Sequence, residues 1–325
     1  MSDSHRELEA VLSFMVTGPL DGDIPSFDEL NAWWNYFLGV AHPFQHPISR
    51  AIIGGRVADR VGYAFTAGYV SAIRRLIPIL GLEEMTALCV SEEGDVHPRA
   101  IKATLVESET SKGDRAFILC GEKSFVTNAD LAERLVVAAS KGTTPQGKND
   151  IRIVLVKRIV PGVMVIPRKP LPFVPEVVHG RVRFNDVEIP EEAVLTGDGY
   201  NNYIKPFRTI EDIHVFGGLL GYFLNVATRF HWPKDAVEEL LSLVVSAWSL
   251  ALADADSAAV HVALGGLFRR ILSFLEEYGE YWKDTDEETA QRWDRDRPLL
   301  NIAGEARSMR LEAAWRRLEK SEIGR

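Results

Sequence analysis

Residues 121–139 read GEKSFVTNADLAERLVVAA. The first half looks like a strand up to Thr127 and Asn128, where a hydroxyl and an amide stand at its end, and a second apolar run, RLVVAAS (134–140), follows at once. Short β-branched and aromatic runs bounded by turn residues read as strands. The same texture extends to both sides: TALCVSE (86–92), AIKATLVES (100–108), DRAFILCGE (114–122), DIRIVLVKR (150–158), GVMVIPR (162–168) and GRVRFNDVEIP (180–190). With KSFVTN (123–128) taken as a strand of its own, eight short strands are expected, which predicts a compact sandwich or barrel. GTTPQGKND (142–150) reads as a plain turn.

The flanks are helical. In ADRVGYAFTAGYVSAIRRLIPILG, Val61, Phe65, Tyr69, Ile73 and Leu76 recur at helical spacing, and Pro78 and Gly81 end the pattern. Beyond Tyr203 four long helices are expected, over 207–230, 236–253, 258–281 and 287–318, the last capped by Asp286 or Thr285. The order is helical, then β, then helical. It predicts an α+β multidomain chain: an N-terminal helical domain (1–85), a central β-barrel or sandwich domain (86–200) and a C-terminal four-helix bundle (201–325).

The 325 residues suggest two or three packed units. A net charge of −9 argues against nucleic acid as a partner. The longest apolar runs, 213–227 and 240–253, fall short of the roughly 20 residues a membrane span needs, so no membrane association is expected. MSDSHRELEA carries no signal-peptide pattern. Cys89 and Cys120, outside any metal-spacing motif, are expected to be reduced core thiols in a cytoplasmic protein. His42 and His46 each precede a proline or lie close to one, which argues against a helix presenting both, and no metal is expected.

Gly121-Glu122-Lys123-Ser124-Phe125-Val126-Thr127-Asn128 is similar to the Gly-x-Lys-x-Trp-Ile-Thr-Asn pattern of the acyl-CoA dehydrogenase family of flavoproteins. The resemblance covers roughly Tyr69 to the C-terminus. Residues 87–105, ALCVSEEGDVHPRAIKATL, resemble the family's Thr-Glu-Pro turn and return strand, with Ser91 in the place of the threonine. The turn is about one residue short, and Asp95-Val96-His97-Pro98 stands where the family has Gly-Ser-Asp. Residues 180–195 resemble the last strand of the β-domain. The resemblance implies FAD, with Leu88, Val90, Ser91, Phe125, Val126 and Thr127 as cofactor-binding residues. Phe125 would offer a flat face to the flavin, and Thr127 would stand near its N5.

RDRPLLNIAGEA (295–306) resembles the family segment that leads to its usual catalytic glutamate, and that position falls on Gly304, with Glu305 one step beyond. A minority of the family, isovaleryl-CoA dehydrogenase among them, carries the base on the first long helix of the C-terminal domain. Ile210-Glu211-Asp212-Ile213-His214-Val215-Phe216-Gly217-Gly218-Leu219-Leu220-Gly221 is similar to that pattern, with Asp212 in place of an arginine. The resemblance implies Glu211 as the base, with Glu305 as the runner-up. Residue chemistry alone offers plainer readings. An acid in the first turn of a helix is favoured by the dipole, and a Gly217, Gly218, Gly221 cluster serves close helix packing.

The family's Arg-x-x-Phe-Gly and Gly-Gly-x-Gly-Tyr segments, which reach a neighbouring subunit's FAD, have no counterpart; AVHVALGGLFRRILSF and YGEYWKDTDEE stand there. The resemblance implies α,β-dehydrogenation of an acyl-CoA, an electron-transfer flavoprotein or similar acceptor, and a homodimer or homotetramer. Two other readings stay open: a flavin-dependent oxidase or monooxygenase on the same fold, and a non-catalytic relative with a structural or regulatory role.

Overall fold

A run of β-branched and aromatic residues becomes sheet wherever its alternate side chains can share one interior, and residues 86–190 do so seven times. The strands are β1 (Thr86–Cys89), β2 (Thr104–Glu109), β3 (Arg115–Thr127), β4 (Arg134–Thr143), β5 (Asn149–Lys157), β6 (Val163–Pro167) and β7 (His179–Pro190). The computed structural model describes residues 3–18, 25–92, 100–109 and 113–323, so the divergent turn at Asp95–Pro98 lies outside the described residues. The strands form one sheet in the order β1-β4-β2-β3-β7-β6, with β5 paired to β4. Leu135, Val137 and Ala139 of β4 point into the same cluster as Leu105, Leu119, Val126, Val154 and Val182. Val136 and Ala138, on the other face of β4, are buried as well.

The expected count of eight strands is corrected to seven, because 114–122 and 123–128 are one strand. β3 runs its full length against β7 and absorbs two irregularities, between Leu119 and Gly121 and between Lys123 and Val126. Gly121 makes the first bend possible. Its φ is +138°, and a Cβ there would lie 2.6 Å from the Cα of Ala103. Only glycine tolerates both conditions.

The chain falls into two compact units: Leu76–Pro170 with Val177–Arg208, which holds the sheet, and Met1–Arg75 with Leu171–Glu176 and Thr209–Arg325, which is helical. The helices are α1 (Asp3–Thr17), α2 (Leu30–Ala41), α3 (Pro47–Arg56), α4 (Val61–Leu76), α5 (Lys205–Arg229), α6 (Lys234–Leu252), α7 (Ala258–Glu277), α8 (Glu287–Asp296) and α9 (Gly304–Ile323). Asp286 caps α8 as expected, its carboxylate accepting from the Thr289 N–H at 2.7 Å. The single helix expected over 287–318 is two. Pro298 has no N–H to donate and its ring crowds the preceding turn, so 297–301 tightens into a 3-10 turn between α8 and α9.

Glycines set the packing of α3, α4 and α5. A Cβ on Gly55 would fall 1.8 Å from the Gly218 carbonyl oxygen, and one on Gly68 would fall 2.6 Å from the Val215 Cα. The Gly217, Gly218, Gly221 cluster therefore serves close backbone approach. The segment Leu171–Glu176 packs within the helical unit. The Val174 N–H donates to Asp296 at 2.7 Å, and Glu176 pairs with Arg295 at 3.2 Å. Val174 is buried with φ +40°, a strained conformation for a β-branched residue. By length and composition, α7 is apolar enough to cross a membrane, with 33% of its apolar window buried. It packs against α6 and α9 and leaves Leu272 exposed.

Candidate functional site

The two stretches that resemble one family, 87–92 and 121–128, are neighbours in the β unit. The Ser124 N–H donates to the Ser91 carbonyl at 2.9 Å. Lys123, fully buried, holds Glu92 at 2.6 Å, and Glu92 in turn accepts the N–H groups of Lys102 at 2.7 Å and Ala103 at 3.0 Å. One carboxylate thus ties the ends of β1, β2 and β3 together. Burial pulls the Lys123 pKa down, and the pairing with Glu92 pulls it back toward the charged form.

This joint shapes an edge. Phe125 is 40% exposed, in the irregular stretch of β3 between Lys123 and Val126. One neighbour of its ring is His179, 4.4 Å away and tilted by 35°; the Arg168 guanidinium lies 5.5 Å from the ring centroid and donates to the Ser124 carbonyl at 2.7 Å. Burial lowers the pKa of His179, so this neighbour is neutral near pH 7. Val126 turns inward and is fully buried, so its main chain alone faces the edge. Thr127 closes β3, and its hydroxyl-bearing side chain is half-buried, as are Leu88, Val90 and Ser91. Asn128, next in line, adopts φ +57° and is fully buried. Its N–H donates to the Val178 carbonyl at 2.7 Å, while neither polar atom of its side-chain amide meets a partner among the described residues. An exposed aromatic face and two half-buried hydroxyls form a set that suits a flat heterocycle with polar edges.

The helical unit holds the two candidate bases, and they differ. Glu305 is exposed in the first turn of α9, where the helix dipole accounts for an acid. Gly304 opens that helix, and a Cβ on it would meet nothing within 4 Å. Glu211 is half-buried on α5, two turns from its start at Lys205, so the dipole argument for a first-turn acid does not reach it. Its neighbour Asp212 is buried and pairs with Arg307 at 3.1 Å and with Arg310. Nothing in the sequence read alone pointed to these arginines; their spacing of three along α9 was the available signal. His214 is fully buried, with Nδ1 2.7 Å from the Ile210 carbonyl, and burial drops its pKa to about 4. It is a neutral packing residue.

Cys120 corrects a smaller expectation. It is half-buried at the β3 irregularity, and its thiol lies 3.1 Å from Asp186, so it is no core thiol; Cys89 is. After α7, the 3-10 turn Gly279–Asp284 carries Trp282, buried and stacked on Trp293 at 4.3 Å. Among the described residues, no group of three His, Cys, Asp or Glu is placed to hold a metal ion.

The sequence matches no known family profile and no curated protein. Solved structures do match it over almost their whole length. The prolyl acyl carrier protein oxidase AnaB aligns at TM-score 0.65 and 15% identity, over 96% of this chain and 98% of that one. PigA with FAD and proline aligns at 0.64 and 15%, over 98% of both chains. Butyryl-CoA dehydrogenase from Megasphaera elsdenii aligns at 0.61 and 15%, over 97% of this chain and 98% of that one. Oxidases and dehydrogenases thus share this architecture, and the chain has the acyl-CoA dehydrogenase fold.

Proposed function

We propose that the chain is an FAD-dependent oxidoreductase that removes two hydrogens from the α and β carbons of an acyl-CoA thioester. The observation that carries this reading is the edge built by Ser91, Phe125 and Thr127 around the buried Lys123–Glu92 joint. Phe125 would take one face of the isoalloxazine, Thr127 would stand near N5, and Ser91 with the main chain of Leu88, Val90 and Val126 would hold the polar rim. Bound FAD supplies an acceptor for the β-hydrogen, which leaves as hydride with its electron pair.

The chain's own part is the other hydrogen. An α-proton next to a thioester carbonyl is weakly acidic, and a positioned carboxylate contributes about 10²–10⁴-fold to its removal. Glu211 would take this proton as the C–H electron pair becomes the new carbon–carbon double bond. The paired Asp212 next to it anchors this turn of α5 to α9 and so fixes where Glu211 stands. An electron-transfer flavoprotein or a similar carrier would receive the electrons, and a cytoplasmic homodimer or homotetramer is the assembly we assign. Fatty-acid metabolism is the matching role.

One observation favours a second reading. Gly304 occupies the position that the family resemblance gives to the usual base, and neighbours of this fold include an oxidase. A flavin-dependent oxidase or monooxygenase needs no α-proton base of the dehydrogenase kind. The purified protein should be yellow, or become so with added FAD, and a panel of acyl-CoAs should bleach the flavin band anaerobically. Glu211→Gln should keep the colour and lose the bleaching. Bleaching that survives in Glu211→Gln, with oxygen consumed in air, would favour the oxidase. A chain that never takes up FAD would leave only a structural or regulatory role.

A further inference from the structure

Away from Glu211, α5 contributes Phe216 to a cavity of about 210 Å³ that α7 and α9 complete within the helical unit. We propose that this cavity is a binding site for a small organic carboxylate with a compact apolar body, of the size of benzoate. Leu264, Phe268 and Leu311 give the cavity an apolar lining, and Phe216, 1% exposed, backs Phe268 in a stack at 5.3 Å with an interplanar angle of 12°. The Arg307 guanidinium lies over both, 5.1 Å from one ring centroid and 4.7 Å from the other. An apolar cavity of roughly 150 Å³ is known to take up benzene, so the space here holds one ring and a carboxylate.

Charge selects the ligand class. Arg269, Arg307 and Arg310 line the cavity, and among the described residues the carboxylate hydrogen-bonded to these arginines is Asp212, through Arg307 and Arg310. His261, also lining it, has its pKa lowered by burial and adds no charge near pH 7. The site therefore has more guanidinium groups than carboxylates. Planar guanidinium groups match carboxylates in two-point contact. A phosphate would satisfy the arginines and leave the apolar lining uncovered. The carboxylate with an apolar body satisfies both.

The test is calorimetric titration of the full chain with sodium benzoate, with benzyl alcohol and inorganic phosphate as comparison probes. Benzoate should bind saturably at one site per chain, at least tenfold more tightly than either comparison probe. Arg269→Gln, an exposed arginine that can be replaced without touching the Asp212 pairs, should weaken benzoate at least threefold. Ser308→Phe, which places a ring at the cavity mouth, should abolish binding while the circular dichroism spectrum stays unchanged. Absence of saturable benzoate binding at 10 mM, phosphate binding as tightly as benzoate, or benzoate binding untouched in both variants would each overturn the assignment.

Discussion

The edge around Lys123 and the flank of α5 around Asp212 both tie a buried acid to cations, yet they do so with different histories in the sequence. At the edge, lysine, aromatic, threonine and asparagine keep the spacing of a known flavin-binding pattern, and the buried pair beneath them, Lys123 with Glu92 at 2.6 Å, holds three strand ends in register. On α5, Asp212 pairs with Arg307 and Arg310 of α9. The difference teaches that Asp212 joins two helices through side chains, whereas Glu92 also accepts two backbone N–H groups and so fixes main chain as well.

Breaking the edge should have the largest effect. Lys123→Met removes a fully buried cation and leaves Glu92, only 8% exposed, without its ion-pair partner. Breaking a buried pair from one side costs about 3–5 kcal/mol. Urea unfolding should show this loss, and the double variant Lys123→Met with Glu92→Gln should recover part of it. A loss below about 1 kcal/mol would mean that the joint does not organise the edge. On the other side, Gly55→Ala drives a methyl to 1.8 Å from the Gly218 carbonyl of α5. Overpacking between backbones should cost about 3 kcal/mol, at the upper end of such changes. Its control, Gly304→Ala in α9, meets open space and should leave stability within about 0.5 kcal/mol.

How far the sequence carried the fold is visible at these same places. Periodicity located α5, α6 and α7 to within a few residues, because each presents an apolar stripe to a common interior. It misread β3 as two strands, since a bulge at Gly121 looks locally like a turn; only the partner β7, far along the chain, shows that pairing continues. It also ran α8 and α9 together across Pro298, where charged residues on both sides hid the break. Of the candidate site, the residues of the edge were legible because their spacing is local. The ion pairs of Asp212 were not, because their partners lie 95 and 98 residues away.

Acid should also act on the α5 flank. His214 holds a pKa of about 4 when folded against an ordinary 6.5, because burial excludes the charged form. The unfolded chain therefore binds its proton first as pH falls. The stability that the neutral ring contributes is complete above pH 6.5 and is lost between there and about pH 4. At about 1.4 kcal/mol per unit the loss reaches at most roughly 3 kcal/mol. Glu176, whose pKa burial raises, pulls in the opposite direction, since its protonated form suits the folded state. The measurement is thus a difference: His214→Leu should have a flatter urea midpoint between pH 7 and 5 than the parent. Equal slopes would remove His214 from the account. Asp212→Asn should follow, at about 1–3 kcal/mol. Arg307 and Arg310 keep 15% and 22% of their side chains in water, which softens the loss of their partner.

The last of these changes is the most informative about the edge. Phe125 is 40% exposed, so its ring contributes only part of its surface to the interior, and Phe125→Ala should cost about 1–2 kcal/mol. If its ring were simply packing, the loss would fall on its contacts with His179 and Arg168. If the ring is a platform, FAD affinity should fall at least tenfold in the same variant, and Phe125→Trp, which enlarges the flat face, should restore it. The two outcomes separate because stability and FAD affinity are read independently in the same variant.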